Sequence, residues 1–164
     1  MERKVGMSYV AYLKLDGIAG DCADPGRRGW MAIDSFSQNL VGPQERGGRT
    51  HLSDVAFNKL ADRSTPLLAR ATAEARHFKE AVLELCTNEG SKPKFMEIRF
   101  ENVRISNYAI SGSPQSDTRT PYENFMISFE KVEWLYFPNA FTPEGDKEAG
   151  VCKTAWASDA KVAV

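Results

Sequence analysis

A two-residue alternation of apolar side chains runs through most of this chain, and nothing else in it constrains the fold as strongly. Tyr9, Ala11, Leu13 and Leu15 alternate with Val10, Tyr12 and Lys14, so Ser8 to Leu15 reads as a strand with apolar groups on both faces. Trp30 to Ser37 and Asp54 to Lys59 read as further strands, the second with Val55 and Phe57 on one face. Ala81 to Leu85 repeats the pattern. In KFMEIRFENVRISNYAI, Met96, Ile98 and Phe100 share a face, and Val103 and Ile105 resume after a shift of phase near Glu101 and Asn102. Such a shift is the mark of a β-bulge. YENFMISFEKVEWLYF behaves alike, with Phe125, Ile127 and Phe129 followed by Val132, Trp134 and Tyr136 out of phase. Two long strands bulged at mid-length predict a curved sheet. A last strand is expected around Thr154 to Ser158.

The period changes once. STPLLARATAEAR places Leu67, Leu68, Ala71 and Ala75 at helical spacing, which predicts a short helix from about Pro66 to Arg76. Proline suits the first helical position, and Ser64 or Thr65 just before it is expected to cap the exposed amides. Asp16 to Gly29, Val41 to Thr50 and Ser111 to Pro121 are loops by their Gly, Pro and polar content. Seven or so strands with one helix, and no linker to divide them, predict a single mainly β domain over residues 1–164, a barrel or a sandwich.

Composition excludes several functions. The net charge is −1, so no basic field exists to hold a nucleic acid or an anionic membrane. No apolar run approaches the roughly 20 residues of a membrane helix. In MERKVGMSYVAYLKLDG the apolar residues are interrupted by Lys14 and Asp16, unlike a secretory signal. Cys22, Cys86 and Cys152 are odd in number and form no CxxC pair, which points to reducing cytosol and no disulfide framework.

No constellation of side chains survives as an active site. Asp62, Ser64 and His77 supply the residue types of a hydrolytic triad. A helix between Ser64 and His77 would hold them roughly 16 Å apart, too far for a nucleophile and its base. Their expected role is architectural. His51 with Asp54, and His77 with the scattered cysteines, lack the short spacings of a metal site. Gly47 to His51 and DPGRRG match no phosphate-binding pattern. Cys22 lies near Arg27 and Arg28 but beside no fixed base, and reads as an incidental exposed thiol. Phe95, Phe100 and Tyr108 accompany charges of alternating sign (Glu97, Arg99, Glu101, Arg104), which favours core and interface packing over base stacking. No cofactor is expected. Strands apolar on both faces require cover on both, from the core and from something else, most simply another copy. A monomeric barrel enclosing a small apolar ligand is the alternative.

One segment carries a resemblance. DVAFNKLADRSTPLLARATAEARHF resembles the most diagnostic part of Hcp, the haemolysin co-regulated protein family of bacterial type VI secretion. There a strand of the form F-x-K-x-x-D-[KR]-S-[ST]-P leads into a brief helix and a [KR]-H-[YF] exit. The matching positions are Phe57, Lys59, Asp62, Arg63, Ser64, Thr65 and Pro66, then Arg76, His77 and Phe78. YLKLDGIAGD resembles the first strand and turn, and FMEIRFENVRIS with ENFMISFEKVEWLYFP resembles the paired long strands. Trp156 also has a counterpart. Ala75 stands where family members often have glycine, and Asp21 to Gly29 and Val41 to Thr50 depart from the family pattern. The resemblance implies a compact antiparallel β-barrel of two sheets with one flanking helix, assembled as a hexameric ring. It further implies rings stacked into a secreted inner tube that meets spike, sheath and effector proteins, without catalysis and without a cleavable signal. It places Ser35 at a lumen-facing position. A phage-tail-like tube shares this logic.

Overall fold

The computed structural model describes residues 8–141 and 150–157. The first seven residues, read above as lacking a secretory signal, and Ser158 lie outside that range. In chain order the elements are β1 (Tyr9–Leu15), β2 (Met31–Ile33), β3 (Ser35–Ser37), β4 (Leu40–Val41), β5 (His51–Leu52), β6 (Val55–Leu60) and α1 (Thr65–Ala73). They continue with β7 (His77–Thr87), β8 (Lys94–Ser111), β9 (Tyr122–Ser128), β10 (Lys131–Tyr136), a 3-10 turn at Pro138–Ala140 and β11 (Cys152–Ala157).

Nine strands form one antiparallel sheet along the path β2-β1-β7-β8-β9-β6-β3, with β10 and β11 branching from β8; β4 and β5 form a separate pair. The expected closed barrel of two sheets is therefore corrected: the ladder does not close. The predicted strand from Trp30 to Ser37 breaks at Asp34, and its halves face different neighbours. Met31 and Ile33 pair with Leu13 and Ala11 of β1, whereas Ser35 and Ser37 pair with Asn58 and Ala56 of β6. The two ends of the sheet thus meet at a single residue, where the Asp34 amide donates to the Asn58 carbonyl (2.9 Å).

The predicted change of phase in β8 falls at Asn102, which takes a left-handed backbone (φ 52°). Asn and Asp tolerate that region better than most residues. Ile98 and Phe100 before it, and Val103 and Ile105 after it, all reach the core. The register of β8 against β9 shifts a little further on, between Ile105 and Asn107. The second long strand is two strands. The last residues of β9 and all of β10 share one register along β8, Arg104 opposite Ser128 and Glu101 opposite Lys131, with Phe129 and Glu130 breaking the ladder between them.

Alternation puts Leu13, Val55, Phe57, Leu83, Ile98, Phe100, Phe125 and Ile127 into one core, which α1 closes with Leu68 and Ala71. Phe57 and Phe125, direct cross-strand partners, stack with ring centres 5.3 Å apart. Side chains this large fill the interior, so the alternative of a ligand-holding barrel gains no support. Among the described residues no helix is long and apolar enough to cross a membrane.

The helix is shorter than expected and stops at Ala73, with Glu74 as its C-cap. Ala75 adopts φ 51°, its amide bonding the Thr72 carbonyl (3.2 Å) while that of Arg76 bonds Ala71 (3.0 Å). This paired arrangement is a Schellman stop built on alanine where glycine is the favoured residue. A left-handed non-glycine residue costs about 1–2 kcal/mol, and glycine gives back about 0.5–1 kcal/mol in chain entropy. Ala75→Gly is therefore expected to stabilise the subunit by about 0.5–1 kcal/mol. An unchanged or lowered urea midpoint would count against the strained stop.

Candidate assembly surface

The STP segment is held from below by a buried ion cluster. Lys59 lies on the core-facing parity of β6 with Val55 and Phe57, and Glu123 on that of β9 with Phe125 and Ile127. Both are fully buried. The Lys59 ammonium pairs with Glu123 Oε1, and donates to Asp62 Oδ1 (2.9 Å) and to the Leu60 carbonyl (3.0 Å). The Tyr108 hydroxyl donates to Glu123 Oε2 (2.7 Å), and burial together with that carboxylate pushes the phenol well above its usual pKa. Asp62 in turn accepts from the Ser64 amide (2.8 Å) and the Ser64 hydroxyl. Burial raises the Asp62 pKa, but the Ser64 hydroxyl and the Lys59 charge outweigh it and hold the carboxyl below the ordinary range.

This geometry corrects the expected cap. Ser64 occupies the N-cap position, yet its hydroxyl bonds Asp62 and no helix amide. The Thr65 hydroxyl accepts from the Asp62 amide (3.0 Å), tying the corner from the other side; Thr65 opens the helix and Pro66, expected at the first helical position, takes the second. His77 begins β7 beyond the helix, exposed and opposite Arg104. Ser64 and His77 thus lie on opposite sides of α1. His51 is exposed on β5, and the described residues include no group of three or more His, Cys, Asp or Glu that could hold a metal ion.

The 21–30 loop is a strap rather than a free loop. The Tyr12 hydroxyl donates to Asp24 (2.6 Å), Lys92 donates to the same carboxylate (2.9 Å), and Arg27 pairs with Glu84 (2.8 Å). Burial and Asp24 push the Tyr12 phenol up to about 12. Gly20 makes the close approach possible, because a Cβ there would lie 2.6 Å from the Trp30 carbonyl oxygen. Cys22 is half-buried in this strap, not the exposed thiol expected, while Cys86 beneath it is buried and pushed up to about 11 by that burial.

Two features face outward. The first is a neutral strip across β3, β6, β9 and β8. Ser35, Asn58, Asn124 and Ala109 form one cross-strand row, and Ser37, Ala56, Met126 and Asn107 the next. Asn124 donates to Asn58 (2.8 Å) and Asn58 donates to Ser35 (2.9 Å), so the amides are fixed in a ladder. Neither row carries a charge. The second is an arm, β4 and β5 with residues 42–50 at its tip, which pairs only with itself. It exposes Leu40 and Val41, about two-fifths of each being open to solvent (43% and 41%).

Comparison with known proteins decides what this arrangement belongs to. A family profile described as "Type VI secretion system effector, Hcp" matches residues 12–136, most of the chain. The chain belongs to the Hcp family. Protein hcp1 of Pseudomonas aeruginosa is 28% identical over 109 residues, which cover 66% of this chain and 65% of that relative. The alignment thus spans about two-thirds of the relative's length. A solved structure described as a type six secretion system protein superposes with a TM-score of 0.80 at 25% identity, covering 92% of this chain and 96% of the other. Hcp1 from Salmonella typhimurium superposes with a TM-score of 0.77 at 21% identity, covering 92% and 95%.

Of Lys59, Glu123, Tyr108, Asn58 and Asn124, sequence reasoning named only Lys59, as a motif position, and Tyr108, as a packing aromatic; it gave neither a part in an ion cluster. Strand parity carried the signal for two of them: Lys59 and Glu123 both sit on the apolar side of their strands.

Proposed function

We propose that this Hcp-family chain is a structural subunit of the type VI secretion inner tube, without enzymatic activity. Copies close into a hexameric ring, rings stack, and the tube leaves the cytoplasm through the secretion apparatus, meeting spike, sheath and effector proteins. The family match over residues 12–136 carries this reading. The neutral strip that includes Ser35 supports it, because an uncharged, small-residue surface suits a lumen through which folded effectors of varied charge pass. Ser35 takes the lumen-facing role in this reading, and Asn58 and Asn124 share its surface. Particle images of the purified protein test it directly: six-membered rings or stacks of them are expected. A strictly monomeric protein at high concentration in several buffers would rule the reading out.

A further inference from the structure

Beside β1 and β2 the strap leaves an open groove of about 440 Å³. Val10 and Tyr12 line it from the outward side of β1, Ala32 from β2, Ala23 and Asp24 from the strap, and Asp34 from the corner where β2 ends. Its volume is in the range of sites that take a side chain or small ligand, roughly 300–1,000 Å³. The strap wall falls in the stretch from Asp21 to Gly29 that departs from the family pattern, so the groove is a feature of this chain.

Its polar side chains are acceptors with little to accept. Both donors that reach Asp24, the Tyr12 hydroxyl and Lys92, bond its Oδ2 and leave Oδ1 without a donor among the described residues. Asp34 is exposed, and among the described residues its carboxylate has neither an ion pair nor a hydrogen bond. The Tyr12 proton is spent on Asp24, and the thiol of Cys22, which also lines the groove, is a weak donor. Lys92 offsets the charge of Asp24, so the uncompensated charge is that of Asp34. Such a lining selects a ligand that only donates and carries a positive charge, an ammonium or a guanidinium. Two observations favour the ammonium. The Tyr12 ring, on which a guanidinium could stack, already carries Arg27 at 5.2 Å. The remaining side chains, Val10, Ala23 and Ala32, are aliphatic and suit a methylene stem. We infer that the groove binds a primary alkylammonium, its head on Asp34 and its stem along Val10 and Ala32. A lysine side chain of a partner protein and a free aliphatic amine share that chemistry. The groove is complete within one subunit, so the inference stands apart from the ring reading above.

Alanine methyl resonances report on the site, because Ala23 and Ala32 line the groove and both are exposed. Protein labelled at its alanine methyls is titrated with Nα-acetyl-lysinamide, cadaverine, Nα-acetyl-argininamide and the uncharged Nα-acetyl-norleucinamide. The ammonium probes are expected to shift the Ala23 and Ala32 signals saturably. The norleucine analogue is expected to bind about tenfold or more weakly, the range for losing a charge-assisted hydrogen bond. Asp34→Asn keeps the shape of the side chain, removes its charge and is expected to weaken the ammonium probes by a similar factor. Asp117→Asn, at an exposed carboxylate in the 111–121 loop, is expected to change nothing. If Asp34→Asn misfolds, raising the salt concentration of the parent screens the same charge and should weaken binding likewise. Saturable shifts with lysinamide alone assign the ligand to a partner's side chain, and with cadaverine alone to a free amine. Equal binding of the norleucine analogue, tighter binding of the arginine analogue, parental affinity in Asp34→Asn, or no shift up to the solubility limit of the ammonium probes overturns the inference. None of these outcomes depends on whether the chain forms rings.

Discussion

Replacing Lys59 with methionine is expected to lower the unfolding free energy of the subunit by about 3–5 kcal/mol, the range for removing one partner of a buried ion pair. Methionine occupies much of the space of the lysine stem, so packing changes little and the loss is electrostatic. It leaves Glu123 sealed in the core with only the Tyr108 hydroxyl to balance its charge. It also strips Asp62 of its cation and loosens the corner that starts α1. Adding Glu123→Gln removes the orphaned charge while keeping an acceptor for Tyr108, and should restore a large part of the loss. Urea unfolding below the assembly concentration separates these effects from those on rings. A single variant within about 1 kcal/mol of the parent, or a double variant no better than the single one, would show that the cluster is not a paired buried charge.

Phe57→Ala is expected to cost a similar amount, about 3–5 kcal/mol, for a different reason. Phe57 is fully buried and stacks on Phe125 across the β6–β9 ladder, so its removal leaves a cavity between strands that hydrogen bonds hold apart. Leu67→Ala on the neighbouring α1 provides the contrast. Its side chain is 43% exposed on α1, and the change should stay within about 0.5 kcal/mol. Near-equal urea midpoints for the two variants would refute the assignment of the core to the inner face of β6.

Much of this was legible in the chain because strand alternation and burial are the same fact seen twice. The residues on one parity of β1, β6 and β8 are the residues in the core, and the phase break read at Glu101 and Asn102 is the left-handed Asn102. What escaped was non-local. The strand from Trp30 to Ser37 looks continuous in sequence, and only its neighbours reveal that Asp34 divides it between β1 and β6. The Ser64 hydroxyl was assigned to the helix by local rules, but a carboxylate two residues back, fixed by Lys59, competes for it and wins. Alternation also cannot tell a lysine that points inward by error from one that has a glutamate waiting. That glutamate lies 64 residues further along the chain, on another strand.

The same separation bears on how the protein is made. When β6 leaves the ribosome, no β9 yet exists to supply Glu123, and a lone ammonium held in an apolar interior is strongly disfavoured. The N-terminal half therefore has no stable way to bury its own best packing face while synthesis continues. Pairings such as Tyr9 with Thr87 and Val55 with Ile127 delay closure in the same sense. Folding becomes a late event that requires nearly the whole chain, as expected for sheets dominated by distant contacts. A nascent subunit is then kept from exposing a finished assembly surface until the body that carries it is complete.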